Sequence, residues 1–505
     1  MKNARRLILC AVPILFALFS VAMGKDANWD FLNYRWYTPY AFLQGRLLRD
    51  VLVAEHATFY NPLLELPFYL TATYLPAMGA GFLLALAASI SFVPLTLLAE
   101  QCVSIENERR RFFVAAGIAL CGLLGGGVLG QIGIVSWDLP LATPTVFALY
   151  LLLRNKAAAF DSPRLLCAAG LLAGVAPGLK LTAALYPLGM AIALLAMQGG
   201  LKTRLGRVFF FSIGAAISMA LLGGYWMWQL YAAFGNPVFP YFNDAFHSPF
   251  AAAGGNRDGT FLPQGFVTAL IFPFLFSANS LRVAEYHFRD IHIALAYALI
   301  ALAIVAAPFR KKQQRAAWFL FIFAAVSFAA WEYMFAIYRY ILPLELLSPL
   351  LIVLAVGCLN LPPRITVIAA VTVLVFAQCL ISTGWNRKPW DRDYVSVQIP
   401  KFIQPKTMVL MTGNAPMGFV VPYLPEDSSV LRPGSYLADG NRFATILQQR
   451  IATATDPMAA LFAPGDEMVT MQVLSAYGLA VDYGACAAVT SNVADPLRLC
   501  PVLRK

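Results

Sequence analysis

The segment Lys25 to Arg49, KDANWDFLNYRWYTPYAFLQGRLLR, sets two carboxylates, Asp26 and Asp30, among aromatic rings and three arginines, Arg35, Arg46 and Arg49. It follows directly on the apolar run Leu7 to Met23. Ionisable groups at the edge of a membrane are costly unless they are paired or used. A carboxylate so placed can take the proton of an attacking hydroxyl as a general base, and nearby cations can hold a phosphate or neutralise a developing negative charge. An interfacial belt accounts for the rings by itself, with Trp29, Tyr34, Trp36, Tyr37 and Tyr40 at headgroup level and the charges in water. Both readings stay open on these residues alone.

Asp138, in Ser136-Trp137-Asp138-Leu139-Pro140 at the mouth of an apolar run, is a second acidic candidate. An acid favoured by the dipole at a helix N-terminus explains it equally well. Glu65 and Glu345 stand within apolar helices, as buried acids of a site or as pairing partners. Asp391-Arg392-Asp393 has the Asp-x-Asp spacing by which nucleotide-sugar transferases hold a metal, but it falls where nucleotide sugars are not expected and reads as chance. His287 and His292, five apart, do not share a helix face as zinc ligands at i,i+4 would. With no Cys-x-x-Cys or His/Cys cluster, the sequence points to no dedicated metal site.

These residues must be positioned by membrane helices. Of 505 residues 60% are hydrophobic and 12% charged, more apolar surface than a soluble core needs, so lipid is the solvent for most of the chain. The net charge of +11 is dispersed in short tufts between apolar runs, a mark of membrane topology and not of nucleic-acid binding. With about 20 apolar residues needed to cross the hydrocarbon, eleven candidate spans emerge: 7–24, 79–100, 112–130, 139–153, 165–181, 182–198, 208–230, 291–308, 316–335, 340–358 and 365–383. The first could be a signal peptide, but Ala22-Met23-Gly24 is a poor cleavage site, so it reads as a retained anchor. An inside N-terminus also places inside Arg109 to Arg111, Arg154 with Lys156 and Arg164, Lys202 with Arg204 and Arg207, Arg310 to Lys312 with Arg315, and Arg364.

That topology leaves 25–78, 131–138, 231–290 and the chain from about Gly384 outside. Thr58 to Thr73 and Leu262 to Ser280, punctuated by prolines, are expected to lie in the interface. The expected architecture is a polytopic α-helical membrane protein of about eleven transmembrane helices over 1–383, with a small extracytoplasmic α/β domain over 384–505. In that domain Lys406 to Thr412 and Met458 to Ala463 read as buried strands, Arg442 to Ala454 and Glu467 to Tyr477 as helices. Cys486 and Cys500 stand in the polar region, where an extracytoplasmic location makes a disulfide reasonable. The other six cysteines fall in or beside apolar runs, as small hydrophobes.

Several motifs, in order, resemble the GT-C glycosyltransferases, in the branch containing bacterial aminoarabinose transferase and the protein O-mannosyltransferases. Asp30 precedes Tyr34 by four residues, a Leu-x-Gly-Arg turn follows at Leu43 to Arg46, and Asn61-Pro62-Leu63 leads into an interfacial helix. The family pattern has Arg-Tyr and Pro-Pro-Leu where this chain has Asn33-Tyr34 and Asn61-Pro62-Leu63. Gly178-Leu179-Lys180-Leu181-Thr182 is similar to the family's Gly/Lys/Thr turn at the outer end of a span, and Gly235 to Asn243 to its large outer loop. Arg339-Tyr340-Ile341-Leu342-Pro343 is similar to its Arg-Tyr-x-x-Pro at the start of a late span. The resemblance covers residues 1 to about 360.

The resemblance implies an inverting transfer of a sugar from a polyprenyl-phosphate donor to a cell-envelope glycan, lipid or protein acceptor, outside the bacterial inner membrane. Asp30 would be the base, with Asp26 its competitor or a substrate-orienting partner. Lys180 and Arg339 would meet the leaving phosphate, with Arg35 and Arg46 as further cations and Tyr34, Tyr340 and Asp138 also toward substrate. No cofactor is implied; some members use a divalent ion, which nothing in this sequence indicates. A transporter or flippase instead predicts charges near the mid-plane of several spans and repeated broken helices, whereas here the charges gather at outer helix ends and no internal repeat is visible. A surface-polysaccharide polymerase or ligase wants paired arginines in a large loop, and 231–290 offers Arg257, Arg282 and Arg289.

Overall fold

The computed structural model describes residues 2–154, 160, 162–252, 258–307, 315–384 and 387–505. Lys156, Arg257, Arg310, Lys311 and Lys312, counted above among the topology and loop charges, lie outside the described residues.

An α-helix occupies each of the eleven apolar windows. Among the described residues five helices are long and apolar enough to cross a membrane: Lys2–Met23, Ala77–Cys102, Leu201–Phe234, Arg315–Met334 and Tyr338–Val356. Asp138–Leu153, Pro163–Leu179, Leu181–Ala196, His292–Ala306 and Pro363–Cys379 are shorter apolar helices. Local chemistry sets their ends. The Asn107 side chain accepts from the Arg110 N–H and caps Glu108–Leu123, and proline opens Pro163–Leu179 and Pro363–Cys379, where its missing N–H costs nothing. The protein is a polytopic helical membrane protein with a small C-terminal sheet domain, as expected.

The chain divides into two compact units. The first comprises Met1–Met23, Phe82–Gly224 and Asp258–Trp385. At its centre Leu342–Val356 is buried along its whole length except Val353, as a helix apolar on every side must be. Pro163–Leu179 and Leu201–Phe234 approach backbone to backbone. A Cβ at Gly170 would meet the Phe211 carbonyl, and one at Gly174 the Ala215 carbonyl. This four-residue spacing of glycine is how membrane helices gain close van der Waals packing where lipid supplies no hydrophobic drive. Gly174→Val is therefore expected to cost about 1–3 kcal/mol by overpacking, read as a lowered melting temperature of the solubilised protein.

The second unit comprises Gly24–Gly81, Tyr225–Arg257 and Asn386–Lys505. Its main sheet runs, in spatial order, Val397–Gln398, Ala487–Ser491, Leu497–Arg504, Met458–Phe462, Met408–Met411 and Ser429–Leu431, with Leu479–Val481 also paired to Leu497–Arg504. Met408–Met411 is parallel to both of its neighbours, and Arg442–Thr453 lies in the crossover between the two. The buried strands and both helices anticipated for this region are present. The first long loop is stitched to the sheet edge. The Val51 N–H donates to the Val430 carbonyl (2.9 Å) and the Arg432 N–H to the Val51 carbonyl (3.0 Å), which satisfies an otherwise open strand edge. Lys25–Asp26 pairs antiparallel with Arg387–Lys388.

Cys486 and Cys500 are disulfide-bonded across 14 residues. A loop of that size is worth about 3 kcal/mol in the chain-entropy model. Cys486→Ser is expected to lose about that much, seen as faster amide exchange over 479–504.

Candidate functional site

Of the charged residues singled out above, Asp26, Asp30, Arg35 and Glu65 gather in the second unit, and Asp138, Lys180 and Arg339 in the first. In the second unit Asp26 is fully buried. Its two carboxylate oxygens accept from the Asn28 N–H (3.0 Å) and Asn28 Nδ2 (2.9 Å), and Asn28 Oδ1 in turn accepts from the Phe31 N–H (2.8 Å). Asp26 thus organises the turn that launches Asp30. Phe31–Arg35 is a π-helical turn, a wide turn frequent at functional positions. The Tyr34 hydroxyl donates to Asp30 Oδ2 (3.0 Å), and Arg35 donates from Nη2 to the same oxygen (3.0 Å) and from Nη1 to Glu65 Oε1 (2.6 Å). The Arg35 guanidinium also lies 4.7 Å over the Tyr34 ring. Side-chain exposure is 1% for Arg35, 4% for Glu65 and 13% for Asp30. Of the three, Asp30 is the one a substrate could reach, and Arg35 compensates its charge.

Arg46 is committed elsewhere. It grips Asp50 through Nε and Nη2 (both 2.7 Å) and donates to the Ser428 carbonyl (2.8 Å). Asp50 also accepts from the Tyr37 hydroxyl and the Val430 N–H (both 3.0 Å). This buried pair holds the loop to the sheet edge. Asp391, declined above as a metal ligand, pairs with Lys25 (3.3 Å), whose ammonium also donates to the Tyr394 carbonyl (2.9 Å). Burial pushes the Lys25 pKa down and Asp391 partly offsets it.

In the first unit Asp138, Lys180, Arg339 and Tyr340 come together. Each of two left-handed residues, Trp137 (φ 61°) and Ala336 (φ 52°), turns the chain sharply before a candidate: Asp138 opens Asp138–Leu153, and Arg339 lies in the 3-10 turn Tyr338–Ile341. A bulky residue at positive φ costs energy and persists where the surroundings enforce it. Lys180 caps the end of Pro163–Leu179. Its ammonium donates to Asp138 Oδ1 (2.5 Å) and to the Ser136 carbonyl (3.4 Å) and stands 4.8 Å over the Tyr340 ring. The Arg339 guanidinium is 5.4 Å from the same ring centre. Asp138, Thr145, Thr182, Tyr186, Arg339 and Tyr340 line a small, partly open pocket. Two cations to one carboxylate favour an anion there. The buried Asp138 Oδ2 has no hydrogen-bond partner.

Glu345 belongs to a third group in this unit. Its Oε1 accepts from the Gly127 N–H (2.9 Å) and the Val128 N–H (3.2 Å), while Asp290 accepts from the Gly126 N–H (2.8 Å) and binds His292 Nδ1 (3.1 Å). Sequence reasoning singled out neither Asp290 nor Tyr186, and the long separations involved leave no local signal for them. Among the described residues no three metal-ligating side chains gather.

Two solved structures are similar to the chain. ArnT from Cupriavidus metallidurans bound to undecaprenyl phosphate aligns with a TM-score of 0.55, and the apo state of the same protein with 0.54. Each is 14% identical, and the alignment covers 99% of this chain and 98% of that one. No protein-family model and no curated protein matches the sequence. Over nearly its whole length the chain therefore shares the fold of ArnT.

Proposed function

We propose that this chain is an inverting glycosyltransferase that moves a sugar from a polyprenyl phosphate to an acceptor hydroxyl at the outer face of the bacterial inner membrane, with its N-terminus in the cytoplasm. The acceptor oxygen bonds to the anomeric carbon as the bond from that carbon to the phosphate oxygen breaks. The hydroxyl proton passes to Asp30, and the phosphate departs on its lipid with the electron pair. Asp30 is the base, Asp26 and Arg35 position it, and Tyr34 holds its Oδ2. Lys180 and Arg339, with Tyr340 and Asp138 beside them, take the phosphate, whose growing charge needs fixed cations. The observation that carries this reading is Asp30 itself, partly exposed and held by Tyr34 and Arg35 at 3.0 Å, in a chain whose fold is that of a protein crystallised with undecaprenyl phosphate.

Transfer of radiolabelled sugar from polyprenyl-phosphate donors by membranes carrying the chain is the direct test. Label above that of empty membranes is the expected result; none at verified expression overturns the reading. Lys180→Ala is expected to weaken retention of undecaprenyl phosphate about 10- to 100-fold, the worth of one hydrogen bond to a charged group, measured by equilibrium binding to the protein in nanodiscs.

A further inference from the structure

We propose that a line of aromatic rings in the second unit, Tyr436, His56, Tyr60 and Tyr34, is a saccharide-binding track that receives the acceptor and leads it to Asp30. The proposal rests on the transferase reading above and names its acceptor class. The ring centres follow one another at 6.1 Å from Tyr436 to His56, 5.7 Å from His56 to Tyr60 and 5.3 Å from Tyr60 to Tyr34, and the Tyr34 hydroxyl ends the line on Asp30. Exposure falls along it. Tyr436 is 54% exposed, His56 and Tyr60 are half-buried, and Tyr34 is buried.

The polar ends of these rings bond to protein. His56 Nδ1 bonds the Tyr436 hydroxyl, and the Tyr60 and Tyr241 hydroxyls are 3.2 Å apart. In a membrane belt, rings place an apolar body in lipid and a polar tip in water. Here successive rings cross at 55° to 88°, and three phenols and an imidazole follow one another in one line. A pyranose presents the complementary surface, C–H faces for rings and hydroxyls for polar tips.

A second feature at the outer end points to a ligand. Arg432 is 4% exposed, and neither its Nε nor its Nη2 has a hydrogen-bond partner. Its Nη1 stands 3.7 Å from Glu55 Oε1, and Glu55 accepts from the Ser435 hydroxyl. Burial pushes the Arg432 pKa down and that of Glu55 up. Glu55 and Ser435 immediately precede His56 and Tyr436, so this under-satisfied guanidinium is linked through Glu55 to the residues that start the line. Buried donors are almost always satisfied, and a saccharide oxygen would satisfy these. Glu55 itself is held at φ 54°, the strained backbone that gathers at ligand sites.

The test uses the full chain in nanodiscs and immobilised water-soluble glycan released by mild acid from the expressing cell's envelope. Wild type is expected to bind, with Tyr436→Ala and His56→Ala each about threefold to tenfold weaker, the worth of one aromatic contact, and Tyr436→Phe in between. All should hold undecaprenyl phosphate as the wild type does, which shows that the fold survives. In the transfer assay Tyr436→Ala should raise the acceptor KM more than it lowers kcat. Equal glycan binding by wild type and both alanine variants beside active transfer overturns the track alone, as does label recovered in protein instead of glycan. Glycan binding with no transfer from any donor overturns the transferase reading and the acceptor role with it.

Discussion

Asp30→Asn is expected to lower sugar transfer about 10²- to 10⁴-fold, the usual worth of a positioned general base, while leaving protein level and donor binding near those of the wild type. Asparagine keeps the size of the side chain and an oxygen that can still accept from Tyr34 and Arg35, so the 3.0 Å contacts have no reason to open. It has no carboxylate to take the hydroxyl proton. Arg35 keeps its bond to Glu65 (2.6 Å) and is not left unpaired. Asp26→Asn makes the contrast. Asp26 accepts from the Asn28 N–H and from Asn28 Nδ2, and an amide in its place loses one of those acceptors. The expected result there is about 1–3 kcal/mol of stability and a partial loss of rate through a loosened turn. Radiolabelled transfer by the two variants at matched expression reads the difference. An inactive Asp26→Asn beside an active Asp30→Asn would exchange the two roles, and full activity in both would remove the base from this loop.

The helices were legible because lipid allows a spanning segment few ways to satisfy its backbone. Each of the eleven windows needed a long apolar run, and each holds a helix. The acid and aromatic density of Lys25 to Arg49 drew attention to the loop that carries Asp30, and Gly178 to Thr182 and Arg339 to Pro343 to residues that meet in one pocket. Arg46 shows where residue type misleads. Beside Asp30 and Arg35 it reads as one more cation for phosphate, and only its Asp50 partner four residues on, a helical spacing for ion pairs, marks it as structural. The link of Val51 to Leu431 was not legible at all, since a single bridge between residues so far apart leaves no periodicity in either segment. Gly126, Gly127 and Val128, held by Asp290 and Glu345, are a like case. Polar groups that satisfy one another across a fold are chosen by tertiary distance, and Arg432 with Glu55 carries no more sequence signal than any arginine and glutamate.

Arg35→Met is expected to destabilise the second unit by about 3–5 kcal/mol. The guanidinium is 1% exposed and bridges two acids, of which Glu65 is 4% exposed. Removing it takes from a buried carboxylate the cation held at 2.6 Å, and the cost of leaving that charge less compensated, more than the lost attraction, sets the size of the effect. Arg35→Met with Glu65→Gln separates the two contributions. The second change, Glu65→Gln, removes the carboxylate charge that Arg35 compensates, so much of the lost stability should return, since an uncompensated buried charge is the larger part of the cost of breaking such a pair. Activity should not return with it. Asp30 would still lack the donor that fixes its Oδ2 at 3.0 Å, and a base out of register by an ångström loses about 10²-fold in rate. Thermal unfolding of the purified protein and transfer by the same preparations give the two readings together. If the double variant recovers both, Arg35 serves only the fold. If Arg35→Met is as stable as wild type, water reaches Glu65 and the buried triad does not hold the loop.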